Sequence, residues 1–252
     1  MIKSFLSFLY HSTNEHGVHS PFVFNLVTKC FYDKKTYNNY GVINQYKTSL
    51  LANKKTINIT EYGAGSRVFK STKRPVSKIA KHVGISDSRA QLLNRFCSYF
   101  KVANALEIGT SLGIGTCSIA LGSKHVTTIE GCPETLQIAK DNLAYFDLKN
   151  IDFIQANFDE AIPKLTERYD LIYIDGNHQK EATLNYFENL LKNSHNDTVF
   201  LFDDIHWSKE MEEGWQEICD DKRVTVSIDT FQWGLVFLRK EQQKEHFVVR
   251  VF

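Results

Sequence analysis

From about Ala103 onward, short apolar runs rich in β-branched residues alternate with longer runs whose apolar positions recur at helical spacing. The pattern predicts strands at Ala103–Gly109, His125–Gly131, Ile151–Asn157, Tyr169–Asp175 and Thr198–Asp204. Helices are expected near Thr116–Leu121, Pro133–Phe146, Asp159–Leu165 and Gln179–Asn193, with a longer one over Ser208–Asp221. Pro133 falls in a first helical turn, where its missing N–H costs no hydrogen bond. Alternation of this kind argues for an α/β fold, a parallel sheet covered by helices on both faces.

The pattern then changes at both ends. Val224–Asp229 and Phe231–Arg239 are close enough to form a hairpin, and His246–Phe252 reads as one more strand. The architecture expected is a three-layer α/β sandwich whose mostly parallel, seven-stranded sheet ends in an antiparallel hairpin. Before the core, Ser20-Pro21 pairs a capping side chain with proline at a first helical position, opening a helix over Pro21–Tyr32. A polar stretch follows (Asp33–Gln45), then a strand at Thr56–Thr60 and helices near Pro75–Val83 and Ser86–Lys101. Residues 1–72 are read as a mostly helical N-terminal extension capping the substrate side, and residues 73–252 as the core domain.

Composition narrows the classes. The 252 residues are 42% hydrophobic and 23% charged, an ordinary globular mixture, and the formal net charge of +1 creates no field that demands nucleic acid or membrane. Five cysteines form no close C-x-x-C pair, which argues against a disulfide scaffold or zinc cluster and for a reducing, cytoplasmic setting. The apolar run within Met1–Tyr10 is too short to span a bilayer.

The chemistry concentrates in Leu106-Glu107-Ile108-Gly109-Thr110-Ser111-Leu112-Gly113-Ile114-Gly115-Thr116, a strand entering a glycine-rich turn and then a helix. Glycines there let the backbone approach a ligand, and the helix start offers unpaired N–H groups. The order Gly109, Gly113, Gly115 is not the G-x-G-x-x-G of dinucleotide sites, and no lysine precedes Thr116 as a P-loop requires. Glu107 would repel a pyrophosphate but attract a cationic sulfonium and ammonium. Glu130 ends the next strand, 21 residues after Gly109, where a carboxylate can accept both hydroxyls of a ribose. Glu61-Tyr62-Gly63-Ala64-Gly65-Ser66 mimics this loop, but a basic, proline-broken stretch follows it, so a flap over the active site suits it better.

Taken together, Glu107–Thr116, Glu130 and Tyr169–His178 resemble the ordered motifs of class I S-adenosylmethionine-dependent methyltransferases, over roughly Ser86 to Arg239. The resemblance implies a Rossmann-like core and this cofactor. Glu107 and Gly109 would lie along its methionine part, with Thr110, Ser111 and Gly113 in the same loop. Glu130 would hold the ribose, and Asn157 with Phe158 would flank the adenine. The family usually has Gly-Asp where this chain has Ala156-Asn157.

Two acidic clusters end adjacent predicted strands, Asp175-Gly176-Asn177-His178 and Asp203-Asp204-Ile205-His206-Trp207. Neighbouring strand ends about 4.8 Å apart bring such carboxylates to one point, where they suit a hard divalent ion. The arrangement resembles the catechol O-methyltransferase type of family, which implies magnesium or another divalent cation on Asp175, Asp203 and Asp204. That family has asparagine where Asp204 stands and often a lysine base where His178 stands. Histidine titrates near neutrality and can accept a hydroxyl proton, which makes His178 the expected base beside Asp175, with His206 as its rival. The bland readings are a cofactor contact for Asp175, a helix cap for Asp203 and a hydrogen-bonded loop residue for His178.

The reading is O-methylation of a hydroxyl on a small molecule or glycan, with a homodimer as the other partner expected. RNA modification is the second class, resting on Arg67, Lys70, Lys73, Arg74, Lys78 and Lys81, a run more often a solvated face. A cofactor-binding protein without catalysis is the third.

Overall fold

The computed structural model describes residues 2–60, residue 62 and residues 71–251. In chain order the elements begin with helix α1 (Ile2–His11), α2 (Pro21–Leu26) continuing into a π-helical turn over Val27–Phe31, and α3 (Asn38–Ala52). Next come β1 (Thr56–Asn58), β2 (Lys73–Pro75), α4 (Val76–His82) and α5 (Asp87–Tyr99). The alternating core follows as β3 (Asn104–Ile108), α6 (Ile114–Ala120), β4 (His125–Glu130), α7 (Pro133–Tyr145), β5 (Ile151–Gln155) and α8 (Phe158–Ala161). It continues with β6 (Leu171–Ile174), α9 (Lys180–Leu190), β7 (Val199–Asp203) and α10 (Lys209–Asp220). Strands β8 (Val226–Asp229), β9 (Trp233–Phe237) and β10 (Glu245–Val248) close the chain.

Two compact units arise from this order: Lys35–Lys164, and Met1–Lys34 together with Leu165–Phe252. In the first, β4 lies between β3 and β5, all parallel, with Glu107 beside Thr128 and Glu130 beside Gln155. In the second, β6 and β7 pair in parallel, β9 runs antiparallel to both β7 and β8, and β10 pairs in parallel with β8. Strand β10 is the further run read at His246–Phe252; it begins one residue earlier, and its first two residues are exposed. The hairpin is as expected, and so is the α/β fold with a mostly parallel sheet ending in antiparallel strands. Strands β6, β7 and β9 are buried throughout, which is why they read as continuous apolar runs rather than alternating ones.

Local chemistry sets the helix starts. The side chains of Ser20, Ser86 and Ser208 accept the N–H of Val23, Arg89 and Met211, capping α2, α5 and α10. Helix α3 begins inside the stretch read only as polar, Asp33–Gln45, and runs beyond it. Its buried face is Tyr40, Ile43, Tyr46 and Leu50, a helical spacing in which tyrosines stand where aliphatic residues usually would. In the other unit the N-terminal residues pack on the tail: Phe5 and Phe8 meet Phe231 at ring distances of 4.9 and 5.4 Å, and Thr13 bridges Val249.

Candidate active site

In the Lys35–Lys164 unit, β3 delivers Glu107 into the core at 1% exposure. Its Oε2 accepts the hydroxyls of Thr116 (2.5 Å) and Thr128 (2.7 Å), and Thr128 is bonded in turn to Thr110 (2.6 Å). Burial pushes the Glu107 carboxyl up to about 7, the two threonines pull it back, and Glu130 adds a smaller push upward. Glu130 at the end of β4 accepts Ser111 N–H on Oε2 (2.8 Å) and Cys132 N–H on Oε1 (2.9 Å). Burial raises its pKa too, against those backbone donors.

The turn between β3 and α6 is built on positive φ at Gly109 (108°), Ser111 (49°) and Gly113 (79°). Gly113 is also a packing requirement. A side-chain carbon there would stand 2.6 Å from the Tyr46 hydroxyl, which donates to Leu112 O at 2.8 Å. At Gly131, the residue after Glu130, such a carbon would meet the Tyr62 ring at 2.7 Å. Asn157 caps α8 by accepting Asp159 N–H, and Ala156 N–H donates to Glu130 O at 3.2 Å, so the Asn157-Phe158 corner starts beside the Glu130 backbone.

In the other unit, the parallel register of β6 and β7 pairs Ile174 with Phe202, and continuing it sets Asp175 beside Asp203. The Tyr173 hydroxyl reaches both, donating toward Asp203 Oδ2 at 2.9 Å and Asp175 Oδ2 at 3.1 Å. Asp203 Oδ1 accepts Asp204 N–H at 2.8 Å. His178 Nε2 lies 3.8 Å from Asp175 Oδ1, and its ring lies 6.0 Å from that of Trp207. Asn177 (φ 69°), His178 (43°) and Asp204 (51°) all hold left-handed backbone conformations. His206 is elsewhere engaged: Nε2 is 2.8 Å from Asp229 and Nδ1 is 3.1 Å from Glu212, with its ring stacked on Phe231. Burial works against the His206 cation, but the two carboxylates outweigh it and hold its pKa above the usual histidine value.

Residues 106–205 match the family model described as a methyltransferase domain. The matched stretch takes in the glycine loop, Glu130 and the aspartates Asp175, Asp203 and Asp204. No curated protein matches the sequence. Among solved structures the chain is similar to the Podospora anserina methyltransferase PaMTH1 bound to SAH, at 12% identity and TM-score 0.62, over 90% of this chain and 97% of that one. It is similar also to the Bacillus cereus O-methyltransferase in complex with SAH, at 18% identity and TM-score 0.55, over 81% and 92%. A third is the O-methyltransferase TomG of Streptomyces achromogenes in complex with SAM, at 14% identity and TM-score 0.58, over 81% and 91%. At these identities the likeness is one of fold.

The sequence-predicted residues fall into two sets. Glu107, Gly109, Thr110, Ser111, Gly113 and Glu130 are gathered in one unit, and Asp175, His178, Asp203 and Asp204 in the other. The expected divalent-cation set does not fit. Among the described residues no three His, Cys, Asp or Glu side chains are placed to hold a metal ion. The facing oxygens of Asp175 and Asp203 meet on a phenol O–H instead. Sequence reading missed Thr128, Tyr46 and Tyr173. Tyr173 was findable, because two residues before Asp175 on a strand means the same face. Tyr46 lies too far from its loop for any local signal. Of the flap expected at Glu61–Ser66, only Tyr62 is among the described residues, and Arg67 and Lys70 of the basic run also lie outside them. Arg74 is buried with its Nε donated to Ser71 O.

Proposed function

We propose that the chain is an S-adenosylmethionine-dependent O-methyltransferase acting on a hydroxyl of a small molecule or glycan. The observation that carries this is Glu107, a carboxylate buried in the glycine loop with only hydroxyl donors, whose raised pKa marks a charge that a cationic ligand would complete. The residues fit that cofactor. Each Glu130 oxygen takes one backbone N–H and keeps a further lone pair for a ribose hydroxyl. The SAH and SAM held by proteins of similar fold support the same assignment.

When bound, the cofactor supplies an electrophilic methyl on a sulfonium. This chain's own part is to draw the cation to Glu107, fix the nucleoside at Glu130 and the Asn157-Phe158 corner, and take the proton of the acceptor hydroxyl. His178 suits the last role. It stands beside Asp175 with its ring partly exposed, whereas both nitrogens of His206 are tied to carboxylates. Residues 1–72 are proposed as a substrate-side cap, a reading supported by the packing of Phe5 and Phe8 on Phe231. A cytoplasmic setting accords with five buried thiols. Among the described residues no helix is long and apolar enough to cross a membrane. RNA as substrate loses support at Arg74, which is buried.

The experiment is a labelled-methyl transfer screen against hydroxylated metabolites, glycans and total RNA, with magnesium and with excess chelator. Transfer to an alkali-stable, hydroxyl-linked product is expected, alongside a melting temperature raised by SAH. A folded protein that binds neither cofactor form would overturn the proposal.

A further inference from the structure

Two carboxylates at neighbouring strand ends repel unless a cation or a proton stands between them. In this chain a phenol hydroxyl lies between them. Tyr173 is fully buried on β6, its ring edge-on to Trp233 at 6.3 Å and 76°, and its hydroxyl lies within 2.9 Å of Asp203 and 3.1 Å of Asp175. The strand register explains why it reaches both. Tyr173 pairs with Leu201, and Asp175 and Asp203 each stand two residues further along the same face. Asp203 is buried and has its other oxygen on the Asp204 amide, so its position is fixed from both sides. Divalent ions of the magnesium class need several oxygen ligands around one centre, and the described residues do not assemble such a group.

We propose that the Tyr173 hydroxyl, not a divalent cation, is the resident link of the Asp175–Asp203 pair, and that Tyr173 is a positioning residue for His178. The phenol holds Asp203 and Asp175 together, and Asp175 Oδ1 stands 3.8 Å from His178 Nε2, within ion-pair reach of a protonated ring. The second half rests on the reading of His178 as base, whereas the first half does not.

The test therefore has one arm without turnover. The full chain, stripped with chelator and desalted, is titrated with Mn2+ and the free ion is followed by electron paramagnetic resonance. The free signal of wild type is expected to track a protein-free control. Stoichiometric uptake that is lost in Asp203→Asn would overturn the proposal. In the second arm Tyr173→Phe removes the hydroxyl and keeps the ring. SAH affinity should stay within about twofold, while kcat falls roughly tenfold with the cofactor KM little changed, the signature of a misaimed base rather than a lost binding site. Wild-type kcat in Tyr173→Phe would overturn the positioning role. If Tyr173→Phe fails to fold, the Mn2+ titration of wild type still decides the first half, and the same kcat and SAH readouts on Asp203→Asn, which removes the charge of the phenol's other acceptor, decide the second. Failure of the methyltransferase reading would show separately, as absence of SAH binding by wild type.

Discussion

The glycine loop and the aspartate–histidine corner both hold two carboxylates, and they hold them in opposite ways. Around Glu107 and Glu130 the donors are two threonine hydroxyls and two backbone amides. Around Asp175 and Asp203 one phenol serves both acids, and the next residues, Asn177, His178 and Asp204, are held in left-handed backbone that favours glycine. The first arrangement is preorganised. It offers a fixed, under-neutralised charge and lets the ligand supply the missing cation. The second sets one phenol between its two acids, beside residues in sparsely populated backbone. On the proposed roles, binding and chemistry fall to different regions, and substitutions should separate them.

The largest effect should come from Gly113→Val. It puts a branched side chain at φ 79° and against the Tyr46 hydroxyl, so a loss of about 3 kcal/mol or more is expected in urea unfolding, with SAH binding abolished. Next is His178→Ala, for which kcat should fall about 100-fold or more while SAH affinity is unchanged, a split read by steady-state kinetics beside calorimetry. Equal losses in both would erase the division between the two regions.

Glu107→Gln should act in two directions. The folded carboxyl titrates near 7 instead of 4.5, so native Glu107 takes up more protons than the unfolded chain between those values. Its contribution to stability is full below about 4.5 and is lost as pH rises through about 7. Glutamine, which cannot ionise, should therefore match or exceed wild-type stability near pH 8, while binding the sulfonium cofactor roughly tenfold more weakly. Wild type should release a proton on binding it near pH 6.5, visible as buffer-dependent heat in calorimetry, and the variant should not.

The smallest effect is expected of His206→Gln. Wild-type His206 has a raised pKa, so its ion pairs stabilise the fold below the ordinary histidine range and fade as pH rises through the raised value. The variant should be less stable by roughly 1 kcal/mol near pH 6, and the deficit should close in alkali. Its kcat should stay close to wild type. A collapse of kcat would return His206 to the role of base.

Much of this was legible in the chain. The five core strands and the helices between them follow from short apolar runs flanked by turn and capping residues, and Ser20, Ser86 and Ser208 mark three helix starts outright. The glycine loop and Glu130 were legible because spacing along one βαβ passage fixes them in space. Helix α3 was hidden because its buried face uses Tyr40 and Tyr46, whose apolar rings are masked by polar tips. The cation site expected on Asp175, Asp203 and Asp204 failed for a different reason. Strand register brings carboxylates together, but a third side chain on the same face, Tyr173, decides what stands between them.

The bond from Tyr46 to Leu112 has a consequence for how the protein becomes competent. It closes a loop of 66 residues, and the space it fills is the one Gly113 leaves open. Closing so long a span carries an entropy cost that short-range helix formation does not. The glycine turn therefore depends for its shape on a helix distant from it in sequence. A fragment cut to the 106–205 stretch would keep every residue of the motif and lack the tyrosine that latches it.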